Sequence, residues 1–215
     1  HIHVEQISGV EFVTGAKTAF KSGDEKLALN WFDQARYKNY SDAEMYITLA
    51  KISRSSKNLS KELSALEFYT ANFGDANPEV NSRLFEIFYE IDSYDKALQS
   101  WGKMDESSKS EEANLNKYFL SNIKQENSSV CDSVSLALLD KNPTNIDALK
   151  WNAKKYYWLG ENRYKRELAK YEENKTTRQY KILLKELDIA TADLKQALTY
   201  LEKIWELEQG KEFAS

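Results

Sequence analysis

Proline and glycine are scarce in this chain of 215 residues, at 2 Pro and 7 Gly. Strand-rich folds call for turn residues about every ten positions. The scarcity therefore favours helices joined by short loops. Cysteine is single, and Cys131 alone excludes an intrachain disulfide and a CxxC zinc or redox motif. It leaves the compartment open. Histidine occurs only as His1 and His3, so the rest of the chain lacks the commonest general base and metal ligand. His1 and His3 could chelate copper or nickel through a free amino terminus. The competing reading is a cloning or purification remnant, and residues 1–8 are read as a tail of that kind. The chain opens "HIHVEQ" without Met, which leads us to expect a processed or tagged start. No signal peptide is recognisable, and no apolar run approaches the ~20 residues of a transmembrane helix, so no membrane insertion is expected. An excess of one charge is also missing. Lys plus Arg is 30, Asp plus Glu is 34, and the net charge is -4, which argues against nucleic acid as a partner. A glycine-rich phosphate loop and an HExxH motif are absent, and no cofactor or metal is expected.

Aromatic residues are plentiful, with 13 Tyr, 9 Phe and 5 Trp, which a disordered chain would lack. Their placement recurs. The stretch "NPTNIDALKWNAKKYYWLG" is one unit of a series. Taking Ala153 as reference, steps of 34 or 35 residues back reach Phe119, Phe85, Ala50 and Ala16. Four residues before each lies Phe12, Tyr46, Asn81, Leu115 or Leu149, and four after lies Phe20, Arg54, Tyr89, Ile123 or Tyr157. Spacing by three and four predicts an amphipathic first helix in each unit. A second helix follows in the first four units, marked by a small residue: Ala28, Ala65, Ala97 and Cys131. Bulky residues follow it, namely Trp31 with Phe32, Phe68 with Tyr69, Trp101, and Val134. Pro78 and Pro143 fall after second helices, which they cannot continue.

A period near 34 with two helices per unit resembles the tetratricopeptide repeat (TPR) family. "SGDEKLALNWFDQA" and "DSYDKALQSW" are the clearest segments, and the resemblance covers most of residues 9–209. It implies an all-α fold: an α-α superhelix, or solenoid, of about five TPR-like helical hairpins. Residues 9–145 hold four repeats, of which the third is degenerate, because Asn81 and Ser100 stand where the family usually places bulk.

The fifth repeat, 146–209, differs. After Gly160 no breaker appears until "ENKTT" at Glu173 to Thr177. The return helix carries Tyr180, Leu184, Leu187, Thr191, Leu194, Leu198, Leu201 and Trp205, a coiled-coil-like seam. Ala197 is its small residue. Both helices are expected to be several turns longer than elsewhere, forming a protruding antiparallel hairpin. Such extended repeats resemble those of helical-repeat proteins exported by bacteria. That implies a bacterial protein and favours a periplasmic or otherwise extracytoplasmic location. Gly210 suits a helix C-cap. Residues 210–215 are read as a tail or as the start of a truncated further repeat.

The resemblance also implies a function: a non-enzymatic scaffold or adaptor that binds a protein or peptide in the groove lined by first helices. The groove residues are Lys17, Phe20, Lys51, Arg54, Glu86, Tyr89, Lys154, Tyr157 and Trp158. Cations mixed with aromatics suit a peptide with acidic or apolar anchors. Some family members grip a terminal carboxylate with a Lys and Asn, then an Asn, then a Lys and Arg. Here those places read Val13, Lys17, Thr48, Glu79 and Arg83, and only Arg83 agrees. Recognition of that type is not expected. The alternative is a sensory or regulatory repeat module of a larger protein whose effector domain lies elsewhere. A second surface is expected on the long hairpin, at Tyr164, Leu168, Tyr171, Tyr180 and Leu184, where a homodimer or the functional partner would bind. No catalytic constellation is visible. Cys131 is read as a packing residue, and Glu86 with Glu90 as a solvated face.

Overall fold

The computed structural model describes residues 7–212, with side chains for residues 7–209. His1, His3, the first six tail residues and residues 213–215 lie outside the described residues. The described residues are all-helical, with no strand. The helices are α1 Gly9–Lys21, α2 Glu25–Tyr37, α3 Ala43–Ser55, α4 Leu59–Phe73, α5 Pro78–Glu90, α6 Tyr94–Gly102, α7 Glu106–Ser110, α8 Glu112–Lys124, α9 Ser128–Lys141, α10 Ile146–Glu173 and α11 Thr177–Glu212. They pack as adjacent pairs: α1 with α2, α3 with α4, α5 with α6, α8 with α9 and α10 with α11. The chain divides between Lys109 and Ser110 into two compact units.

The turn inside each of the first four pairs is made the same way. Gly23, Lys57, Asp92 and Glu126 all have positive φ, at 87°, 55°, 57° and 57°. The next residue in each case donates its N–H to a carbonyl five positions back: Asp24 to Ala19, Asn58 to Ser53, Ser93 to Phe88, and Asn127 to Asn122. This closes the first helix of the pair with a Schellman-type cap. The four left-handed residues are spaced by 34, 35 and 34 positions, matching the period of the sequence. One more step of 34 reaches Gly160, yet α10 runs straight through it.

In the first unit, Ala16, Ala50 and Phe85 are buried, as are Ala28, Ala65 and Ala97 on the second helices. Small residues there let two helices cross closely. Phe68, read as interior bulk, is half exposed and stacks on Tyr46 at 4.2 Å. Asn81 stands where the sequence pattern leads one to expect bulk. It is buried, and its side-chain amide donates to the carbonyls of Asp75, at 2.7 Å, and Lys103, at 3.3 Å. It ties down two loops where an apolar residue would leave carbonyls unpaired. Pro78 begins α5 at its first turn, behind the N-cap Asn77. It is thus a helix start rather than a residue of the preceding stop. The short α7 carries no apolar periodicity and was not foreseen.

In the second unit, Phe119, Cys131, Leu138 and Ala148 form a core. Burial raises the Cys131 thiol to about 11, with a smaller push from Asp132. α10 and α11, of 28 and 36 residues, form the long hairpin, with the turn at Asn174 to Thr176. Its seam is not the expected one. The buried residues of α11 are Leu183, Ala190, Ala197 and Ile204. They lie one heptad apart, and Ala190 lies against Gly160, which is buried on α10. A β-carbon on Gly160 would lie 2.8 Å from the Ala190 carbonyl oxygen and 2.8 Å from Leu194 Cγ. Only glycine allows that approach. Arg163 pairs with Glu186 at 2.8 Å and lies 3.6 Å from Asp193, adding an ionic layer beside the small residues. Most of the expected seam of large residues is instead exposed, from Tyr180 at 46 % to Trp205 at 63 %, although Leu187 is half-buried and Leu194 lies against Gly160. Close approach at Gly160 goes with small residues at the middle of the buried stripe, and Leu183 and Ile204 are buried toward its ends. α11 also continues past Gly210 to Glu212, so that glycine does not cap it.

Candidate functional site

Five of the nine predicted groove residues lie together in the first unit. Lys17 and Phe20 come from α1, Lys51 and Arg54 from α3, and Glu86 from α5. They line two hollows of about 190 and 350 Å³, which share Ile47, Lys51 and Glu79. The floor is apolar, from Ile47, Ala50, Leu66 and Val80. The helix starts that fix these side chains are capped locally. Asp42 accepts from the Met45 N–H at 2.7 Å, and Asn77 accepts from Val80 at 3.2 Å.

The charges around the hollows are mostly committed to one another. Arg83 reaches across to α4 and donates through Nε and Nη2 to Glu62, at 2.6 and 3.0 Å, and through Nη1 to Glu86 at 2.6 Å. Glu62 is buried. This fork-to-fork pairing holds the Arg83 guanidinium protonated well beyond its ordinary range, chiefly through Glu62. Lys51 lies 3.5 Å from Glu79. Lys17 pairs with Glu44, which raises the ammonium above its ordinary value and lowers the carboxyl. Arg83, the one residue that matched the carboxylate-gripping pattern, is therefore occupied. Arg54 and Lys21 differ: both are exposed and neither pairs with an acidic residue among the described residues.

Sequence reasoning missed Glu62 and Leu66, because they come from the second helix α4 rather than from a first helix. The available signal was Glu62 itself, a carboxylate three positions before the packing residue Ala65. Tyr89 lines neither hollow and meets the Tyr94 ring edge-on at 6.0 Å. Lys154, Tyr157 and Trp158 belong to the second unit, on α10. Tyr157 and Trp158 are half exposed and in edge contact at 5.2 Å. Of the second surface, Tyr171 and Tyr180 meet across the hairpin tip at 5.7 Å. Tyr164 and Leu184 are exposed, and Leu168 is half-buried. Among the described residues no helix is long and apolar enough to cross a membrane. No protein-family model matches the chain, and no curated protein is significantly similar to it.

Proposed function

We propose that this chain is a tetratricopeptide-type scaffold that binds an extended peptide segment of another protein and catalyses no reaction. The first-unit hollows are the proposed seat. The observation that carries this reading is the contrast at the groove. An apolar floor is ringed by charges mostly satisfied internally, and the unpaired Arg54 cation stands at its edge, with Lys21 beside the second hollow. A peptide with one large apolar side chain and a nearby carboxylate would satisfy both features. The apolar group would fill the hollow over Ile47 and Val80, and the carboxylate would meet Arg54. Each carboxylate at the hollows is held by a cation: Glu62 and Glu86 by Arg83, Glu79 by Lys51, and Glu44 by Lys17.

Selection from a random displayed peptide library tests the reading. Wild-type protein is expected to enrich sequences joining an acidic residue to an aromatic or large aliphatic one. The Arg54→Glu variant, altered only at an exposed position, is expected to lose them. An enriched motif that binds Arg54→Glu equally well would remove the groove from the account.

A further inference from the structure

We propose that the outer face of α11 is a homodimer interface, in which the α11 helices of two copies run antiparallel. The inference concerns the second unit and does not depend on the groove. The buried side of α11 is Leu183, Ala190, Ala197 and Ile204, small only at its middle, with an ionic layer at Arg163. The flank beside it carries Tyr180, Leu184, Leu194, Leu198, Leu201 and Trp205, each between 37 % and 63 % exposed, although Tyr180 also meets Tyr171 and Leu194 lies beside Gly160 of α10. With Leu187 and Thr191 they keep an unbroken alternation of four and three over about 38 Å of helix. That is a coiled-coil seam without its second strand. Water-exposed patches of this extent mark interfaces.

The flanking charges identify the occupant. In the heptad that places Leu184, Leu198 and Trp205 at a, and Tyr180, Leu194 and Leu201 at d, the e positions are Lys181, Asp188, Lys195 and Glu202. Their signs alternate. All four are exposed, and none makes an ion pair among the described residues. In an antiparallel pair, e residues face e residues. With Thr191 layered on the partner's Leu194, Lys181 meets the partner's Glu202 and Asp188 meets the partner's Lys195. The two-fold repeats both pairs, so every e charge finds its opposite. A parallel pair would set these charges beside g positions. Those are Leu183, Ala190, Ala197 and Ile204, uncharged and buried. Charge complementarity therefore selects a second copy and the antiparallel direction together.

Sedimentation equilibrium of the full chain tests this. Wild type is expected to be a dimer. Leu198→Glu is expected to be a monomer with unchanged helical circular dichroism, because position 198 is on the surface. Lys195→Glu and Asp188→Lys should each weaken dimerisation by roughly tenfold, since each sets two like-charge pairs in register. Mixing the two variants should restore the dimer, as should combining them in one chain. A wild type that stays monomeric into the millimolar range would overturn the proposal, whether or not the stripe then binds lipid vesicles. So would a dimer untouched by Leu198→Glu, or one in which mixing the charge variants restores nothing.

Discussion

Glu62 and Arg83 carry the sharpest residue-scale consequence. Removing one partner of a buried pair leaves a charge without compensation. Arg83 keeps Glu86, so Glu62→Ala is expected to cost about 2 kcal/mol, read from a denaturant midpoint. Replacing both, as Glu62→Leu with Arg83→Met, should recover most of that loss, because desolvation of both charges disappears. A double variant as weak as the single one would show that the pair is a net stabiliser. Lys57 gives the opposite sign. Its φ of 55° lies in the left-handed region, which costs a side chain with a β-carbon. Lys57→Gly is expected to raise stability by about 0.5–1 kcal/mol; a loss would mean that its side chain makes a contact worth more than the strain. Cys131 is shielded, with its thiol raised to about 11. A thiol reagent at neutral pH should label it at the rate of unfolding, and at once in denaturant.

The element that best separates inside from outside is α11. Ala197 and Leu198 are neighbours in sequence, one buried and one 52 % exposed. Ala197→Leu would wedge α10 and α11 apart and is expected to cost about 1–3 kcal/mol. Leu198→Ala should cost less than about 1 kcal/mol to the fold of the chain, when measured under conditions that keep it monomeric. The reverse order would place the large seam inside. The sequence could not resolve this point. Two heptads run along α11 one residue apart, and periodicity reports the one with the larger side chains. Burial went to the other, whose Ala190 and Ala197 permit the close approach of the two helices at Gly160. Other elements were legible. The five reference positions from Ala16 to Ala153 are all buried, because local periodicity and close helix crossing demand the same residues there. The turn before Thr177 was legible because Glu173 to Thr177 breaks the apolar pattern. The site was legible only in part. First-helix residues follow from the repeat phase, whereas Glu62 reaches the hollow from α4 by tertiary packing. The pairing that occupies Arg83 is also a tertiary fact.

Across the whole molecule, exposed ion pairs set the pH response. Lys17 lowers the Glu44 carboxyl, and Lys103 lowers Asp75. Depressed carboxyls contribute stability that is present above their ordinary values of 4.5 and 3.8 and lost as pH falls through the lowered ones. Lys17, Lys165 and Lys175 are raised by Glu44, Glu161 and Glu172. Their contribution is present below 10.5 and lost as pH rises through the raised values. The melting temperature is thus expected to be flat near neutrality and to fall below about pH 4 and above about pH 10.5. A melting temperature that rises into acid would contradict these pairings. The claim on which the functional account rests is that the partner peptide lies on α1, α3 and α5. Amide chemical-shift mapping of the labelled full chain with a library-selected peptide tests it most directly. The account predicts shifts concentrated around Lys17, Ile47, Lys51 and Arg54. Shifts confined to α10 and α11, with the first unit silent, would contradict it.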